Sequence, residues 1–143
     1  MNSIRRTILI FLFSTLAQSA NPRPVHAENG MVVSSSVWAS EAGVNILKKG
    51  GNAIDAAVAT GFALAVTLPQ AGNIGGGGFM VVPLEDGAEL PLDYREMAPK
   101  AAHRDMFIDD TGGVNRELAL HSHLSSGVPG SVDGLLKVFE DYG

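Results

Sequence analysis

Residues 50–66 read GGNAIDAAVATGFALAV, and this stretch decides the fold of the chain. The glycine pair at its start is a helix stop signal, and Asn52 followed by Asp55 predicts the capping box of a new helix. Almost every residue of Ala53–Val66 is apolar or small. A helix that is apolar on all sides is a buried helix. The chain is therefore predicted to build around this helix, which must end before Pro69.

Weaker patterns lie on either side of this central helix. Upstream, Met31–Ser35 predicts a short strand, and Ser36 offers the N-cap hydroxyl of a helix that ends near the lysine pair 48–49. Downstream, Phe79–Leu84 and Glu89–Tyr94 predict the two strands of a hairpin. The hairpin is too narrow to cover the central helix by itself.

The C-terminal part is predicted to be irregular over residues 97–113 and helical at its end. Ser131 is expected to cap this last helix and Gly143 to end it. The helix is expected to bury an apolar stripe formed by Val132, Leu135, Leu136 and Phe139. Helices followed by a hairpin are typical of an α/β domain in which helices and sheet form layers, an α+β arrangement.

The charge and cysteine content exclude several classes of protein. From Glu28 onward the chain has seven lysines and arginines against fifteen acidic residues, a net charge of −8. A nucleic-acid interface needs clustered cations, and the longest basic run here is Lys48-Lys49. The chain has no cysteine, which excludes disulfides, thiolate metal sites and a cysteine nucleophile within it.

The N-terminus has the pattern of a secretory signal peptide. Arg5-Arg6 is followed by the apolar run Thr7–Leu16, which is too short to span a bilayer. Val25 and Ala27 place small residues at −3 and −1, so cleavage is predicted after Ala27, with Ala20 as a second candidate. A buried N-terminal helix is the alternative. No later stretch resembles a membrane anchor, so a periplasmic or secreted location is expected.

A glycine-rich run, Gly72–Gly78, invites comparison with phosphate-binding loops. A dinucleotide fingerprint would need glycine where Met80 stands, and the run precedes a strand instead of opening a helix. Nucleotide binding is therefore disfavoured. Glycines also permit close approach of the backbone to a neighbouring segment, and tight packing is the favoured interpretation.

Arg95 is the candidate binding residue. It follows the second predicted strand between Asp93 and Glu96, either of which can hold its side chain. A guanidinium fork is suited to bidentate binding of a carboxylate. On local sequence alone an ordinary surface ion pair is favoured. The pair His121 and His123 lacks a third metal ligand nearby, so a metal site is not expected.

Five motifs together resemble those of the γ-glutamyltransferases, in the same order along the chain. They are Gly50–Ala57 (GGNAIDAA), Gly72–Met80 (GNIGGGGFM), Asp93–Pro99 (DYREMAP), Arg104–Phe107 (RDMF) and Gly127–Gly130 (GVPG). The resemblance covers Gly30 to Gly143. It implies that residues 28–143 are an N-terminal, incomplete part of the large-subunit domain. Residues 1–27 lie before the resemblance, and their own pattern predicts the signal peptide.

The resemblance implies a fold, an activity and a role for one residue. The fold is that of an N-terminal-nucleophile hydrolase, an αββα sandwich whose precursor cuts itself into a large and a small subunit. The activity is cleavage of the γ-glutamyl amide of glutathione and transfer of the glutamyl group to water, amino acids or peptides. The arginine of the family's F/Y-R-E motif binds the donor's α-carboxylate, which assigns that role to Arg95. No metal or organic cofactor is implied.

The same resemblance places the catalytic residues outside this sequence. The nucleophile is the first threonine of the small subunit, beyond Gly143, so no residue here is assigned a catalytic role. The 143 residues alone are expected to be inactive. Two alternatives stay open: a related exported amidase such as a cephalosporin acylase, and a truncated product that binds ligand without catalysis.

Overall fold

The computed structural model describes residues 24–84 and 86–143. Residues 1–23, most of the predicted signal peptide, lie outside the described residues. Residues 24–30 carry no helix or strand and are exposed. Residues 31–143 form a separate compact unit, which contains all the helices and strands of the described residues. No helix in the described part of the chain is long and apolar enough to cross a membrane.

Helix α1, Val37–Lys48, has the ends that the sequence predicts. The Ser36 hydroxyl accepts a hydrogen bond from the Ala39 amide at 3.5 Å. At the other end Gly50 has φ of 93°, and the amides of Gly50 and Gly51 donate to the carbonyls of Leu47 and Ile46 at 3.0 and 3.1 Å. This pair of bonds is a Schellman motif, which requires a residue that tolerates positive φ after the helix.

The predicted strand Met31–Ser35 is wrong. These residues are extended or bent but pair with no strand, because the sheet of the described residues contains two strands from later in the chain. Ser34 instead uses its hydroxyl locally, donating to the Ser36 carbonyl at 2.8 Å. Side-chain bonds of this kind give the backbone an alternative to a ladder.

The central helix α2, Ala53–Thr67, begins with the predicted capping box. The Asn52 side-chain oxygen accepts from the amides of Ile54 and Asp55 at 2.7 and 3.0 Å, and an Asp55 oxygen accepts from the Asn52 amide at 2.8 Å. The Asn52 side-chain amide also donates to the Tyr142 carbonyl at 2.7 Å. One cap therefore starts α2 and ties it to the end of the last helix.

The sheet is a single antiparallel hairpin of β1, Phe79–Pro83, and β2, Glu89–Asp93. Each strand is one residue shorter than predicted. Side chains alternate between an inner and an exposed face, as the period of a strand requires. The inner residues Met80, Val82 and Leu92 pack against the core, whose buried members are Ile54, Val58, Leu135 and Val138.

Two short elements that the sequence analysis missed precede the last helix. They are α3, Arg116–His121, and the 3₁₀ turn His123–Ser125. Residues 97–113 contain turns and isolated bridges, without a helix or a ladder, which confirms the predicted irregular segment.

The last helix α4, Ser131–Tyr142, is present, but two details of its prediction are wrong. Its N-cap is Gly130, and Ser131 is instead a buried first residue. The buried face contains Gly134, Leu135 and Val138, whereas most of the predicted apolar stripe (Val132, Leu136 and Phe139) is exposed. The helix is turned because the Tyr94 ring packs against Gly134, which brings the small residue toward the hairpin. Gly143 caps its end, as predicted.

Candidate functional site

The hairpin register determines where Arg95 lies. Gly78 and Tyr94 exchange backbone hydrogen bonds of 3.4 and 3.0 Å, so the next pair, Phe79 and Asp93, is a non-hydrogen-bonded pair with closely spaced side chains. Both residues are on the exposed face of the hairpin. Arg95 comes two residues after Asp93 and returns to the same face. Three side chains therefore meet at the open end of the hairpin.

The Arg95 guanidinium has two neighbours in this cluster. Its Nε lies 3.5 Å from Oδ1 of Asp93, and the same oxygen accepts from the Arg95 amide at 3.0 Å. Its Cζ lies 4.8 Å from the centre of the Phe79 ring, within the range of a cation–π contact. The Arg95 side chain is 61% exposed. It remains accessible to a ligand while being held at Nε.

Asp93 therefore pairs with Arg95 as the sequence predicts, but the expectation that Glu96 does so is wrong. Within the described ranges Glu96 forms no ion pair with Arg95. The Glu96 side chain is directed toward the glycines at 76 and 127. Consecutive residues of an extended chain point to opposite sides, so Glu96 faces away from the side that carries Arg95.

The glycine run packs directly against the backbone that carries Arg95. A Cβ placed on Gly77 would lie 2.6 Å from the Arg95 Cα and 2.7 Å from the Glu96 amide nitrogen. The Gly76 carbonyl accepts from the amides of Gly130 and Ser131 at 2.9 and 3.0 Å. The run leads into β1 and none of its glycines has positive φ. Close packing, the predicted role, is confirmed.

A second segment packs against the backbone around Arg95. Met97 and Val128 exchange hydrogen bonds of 3.1 and 2.8 Å, which joins the GVPG motif to the end of DYREMAP. The half-buried Tyr94 ring packs on the α4 glycine at 134, and burial raises the pKa of its hydroxyl. Two motifs that are distant in sequence, the glycine run and GVPG, thus hold the backbone of residues 94–97, and a glycine of α4 packs on the Tyr94 ring.

A concavity beside this backbone lies on the inner side of the hairpin. It has a volume of about 220 Å³, and its lining includes Phe62, Leu64, Asn73, Tyr94, Glu96 and Leu135. Arg95 does not line it. The guanidinium is therefore on the exposed face, separated from this cavity by the strand that carries it.

The other candidate groups do not converge on a second site. His121 ends α3 and His123 begins the 3₁₀ turn, so the two histidines are not on one face of a strand. Across residues 24–84 and 86–143, no three His, Cys, Asp or Glu side chains come together as a metal site requires. In the turn that begins at Asp109, hydrogen bonds from the Thr111 hydroxyl and from the Gly113 and Thr111 amides lower the pKa of the Asp109 carboxyl.

Sequence reasoning missed Phe79. It was assigned to a strand, and its contact with Arg95 depends on the pairing register, which no local pattern contains. Given the turn at residues 86–87, the register would have placed Phe79 opposite Asp93. The pairing of Phe79 with Asp93 is therefore the feature from which the contact between Phe79 and Arg95 could have been predicted.

Comparisons with known proteins agree with the resemblance. The family profile described as Gamma-glutamyltranspeptidase matches residues 39–143. A glutathione hydrolase proenzyme of Escherichia coli strain K12 is 55% identical over 120 residues, which are 84% of this chain and 21% of that protein. A glutathione hydrolase proenzyme of Pseudomonas sp. strain A14 is 54% identical over 87% of this chain and 22% of its own length.

Solved structures show the same fold. The gamma-glutamyltranspeptidase of Helicobacter pylori superposes with a TM-score of 0.79 at 49% identity, over 85% of this chain and 35% of that chain. The transpeptidase CapD of Bacillus anthracis gives 0.61 at 32% identity, over 82% of this chain and 34% of that chain. The predicted layered α/β class, part of an N-terminal-nucleophile hydrolase fold, is confirmed.

These matches cover most of this chain but only part of each relative. This chain spans about a fifth of the length of the curated relatives that it matches and about a third of the solved chains. The family match covers all five motifs and most of the sequence. The chain belongs to the gamma-glutamyltranspeptidase family.

Proposed function

We propose that this chain supplies the donor-binding arginine of a γ-glutamyltransferase and glutathione hydrolase. The observation that carries the proposal is Arg95: an exposed guanidinium, held at Nε by Asp93, at the end of a strand and within the family's motif. No described residue accepts a hydrogen bond from its two Nη groups. Those groups supply the fork that a carboxylate needs.

The substrate is a γ-glutamyl compound such as glutathione. Arg95 binds the α-carboxylate of the glutamyl group, which fixes the donor at the end remote from the amide that is cleaved. A nucleophile attacks the γ-carbonyl carbon, the amine leaves, and the γ-glutamyl ester is then cleaved by water or by the amino group of an amino acid or peptide. Binding energy from the carboxylate orients the amide for this attack.

The nucleophile in this proposal is the threonine that begins the small subunit of a processed precursor. The name proenzyme, carried by the relatives, supports such processing. The threonines of the described residues are already engaged. The hydroxyls of Thr60 and Thr67 donate to the carbonyls of Ala56 and Ala63 at 2.7 and 3.0 Å, and that of Thr111 donates to Asp109 at 2.6 Å.

The test uses a family-length enzyme, which is a chain as long as the curated relatives that contains residues 28–143 of this sequence. One such enzyme is the E. coli relative with its matching segment replaced by these residues. Arg95→Ala is expected to raise KM for a γ-glutamyl anilide by about 10- to 100-fold, because a charged hydrogen-bonded pair is lost. Arg95→Lys keeps the charge without the fork, so its KM should lie between the two. Steady-state kinetics give both values.

The change in kcat, measured apart from the change in KM, distinguishes loss of donor binding from damage to the fold. Loss of a carboxylate contact that is made equally in the bound and transition states raises KM and leaves kcat nearly unchanged. Unchanged KM in Arg95→Ala would contradict the proposal. Circular dichroism and the extent of subunit processing, compared between the variants and the parent enzyme, control for damage to the fold.

A further inference from the structure

The Phe79 side chain has no role in the core. Its neighbours along β1, Met80 and Val82, point inward and pack against the buried residues, whereas Phe79 is on the outer face and 64% exposed. Val81, on the same outer face, is exposed to a similar extent, 62%. Within the described residues, packing in the core therefore does not explain why a large aromatic ring stands at this position.

The contact that Phe79 makes is with Arg95. Register pairs Phe79 with Asp93, and Arg95 follows Asp93 on the same face. The Arg95 Cζ lies 4.8 Å from the ring centre, and in the described part of the chain this is the single cation–aromatic contact. The Phe79 ring and the Asp93 carboxylate thus both contact the Arg95 guanidinium.

These two contacts leave the Nη groups of the guanidinium free to donate hydrogen bonds. A cation held over the face of a ring uses none of its N–H donors for that contact. Asp93 lies nearest to Nε, so the two Nη groups keep their donors. A flexible arginine would lose side-chain entropy when a ligand binds, and a side chain that is already held loses less.

We infer that Phe79 is a positioning residue for the donor carboxylate: its ring face holds the Arg95 guanidinium so that the Nη edge is presented to the γ-glutamyl α-carboxylate. This inference rests on the proposed function of Arg95. Phe79 does not touch the reacting atoms, so its effect is on donor binding and not on the chemical step.

The test is Phe79→Leu in the family-length enzyme, with Phe79→Tyr as the conservative variant. Phe79→Leu keeps an apolar side chain without a ring face, and it is expected to raise KM for a γ-glutamyl anilide about two- to fivefold with kcat unchanged. Phe79→Tyr keeps the ring and should restore the parent KM. A 4-aminobutyryl anilide lacks the α-carboxylate, so its KM should not respond to either substitution.

Three controls separate positioning from a structural role. Val81→Ala removes an equally exposed side chain from the same face, and KM should not change. A ring-fluorinated phenylalanine at position 79 keeps the shape but withdraws negative charge from the ring face, so KM should rise even if Phe79→Leu folds poorly. In an Arg95→Ala background, Phe79→Leu should add nothing, because the group that it positions is absent.

The outcomes distinguish this inference from the proposal on which it rests. If Arg95→Ala raises KM but neither Phe79→Leu nor the fluorinated ring does, Phe79 has no positioning role and the function of Arg95 stands. Equal effects on both donors, or an effect that persists in the Arg95→Ala background, would also overturn it. If Arg95→Ala itself leaves KM unchanged, the proposed function and the inference fail together.

Discussion

Arg95 is positioned by its backbone as much as by its side-chain partners. A close backbone contact comes from Gly77, where an added Cβ would lie 2.6 Å from the Arg95 Cα and 2.7 Å from the Glu96 amide nitrogen. The glycine run has no positive φ, so what it provides at this point is the absence of a side chain. The position of Arg95 therefore depends on a residue that has no side chain of its own.

Gly77→Ala tests this contact. A methyl group 2.6 Å from the Arg95 Cα must displace backbone, and a displacement near 1 Å of a binding group lowers kcat/KM by roughly tenfold or more. Gly75→Ala is the matched control, because its Cβ would meet only Asn73 Oδ1, at 3.4 Å. Equal kcat/KM for the two variants in the family-length enzyme would show that close packing at Gly77 is unimportant.

At the scale of elements, the helix caps determine where the helices begin and end. The capping box at Asn52 fixes the start of α2 and also reaches the last turn of α4 through the Tyr142 carbonyl. The inner face of the hairpin then closes over the buried residues of these two helices. The hairpin end that carries Arg95 is held in place through this sequence of contacts.

Asn52→Ala tests the cap. Loss of the side-chain acceptor is expected to cost about 1 kcal/mol locally, which corresponds to roughly fivefold faster hydrogen exchange at the Ile54 and Asp55 amides. Asn115→Ala removes the equivalent acceptor from α3, where it binds the Leu118 amide, and should leave α2 unchanged. If exchange at Ile54 is the same in both variants, the capping account is wrong.

The elements also show which features were predictable from sequence. Caps depend on a few adjacent residues, so Ser36, Asn52 and the glycine pair after α1 were assigned correctly. The strand expected at Met31–Ser35 needs a partner, and local pattern carries no information about partners. Helix α3 buries no residue, so it has no apolar period by which to be recognised.

The site was predictable to the same degree. The role of Arg95 comes from its motif and stays a prediction, whereas its contact with Asp93 was expected from adjacency in sequence and is present. The buried face of α4 was misassigned because apolar residues alone were counted, whereas Gly134 determines which side meets Tyr94. The contact with Phe79 depends on pairing across the hairpin, at a sequence distance that local reasoning does not span.

At the scale of the whole molecule, this chain matches only part of the length of its relatives. It covers 35% of the Helicobacter pylori chain, and large apolar side chains such as Trp38, Val66 and Met97 are mostly exposed. Apolar surface of this kind marks contact with further protein. Activity is therefore expected of the family-length enzyme.

We propose that residues 1–27 direct export, to the periplasm or out of the cell. Intact-mass measurement of the exported protein is expected to give a mature N-terminus at Glu28. Ala27→Trp should block processing because the −1 position must be small, while His26→Trp, at the permissive −2 position, should not. A mature chain that begins after Ala20, or one that retains Met1, would contradict cleavage at this site.

The most direct test of the central claim compares two donors in the family-length enzyme and in its Arg95→Ala variant. The donors are a γ-glutamyl anilide and the 4-aminobutyryl anilide, which differ only in the α-carboxylate. The account predicts that the parent enzyme prefers the first donor in kcat/KM by about 10- to 100-fold and that Arg95→Ala removes this preference. A preference that survives the substitution would contradict the assignment of Arg95 as the carboxylate-binding residue.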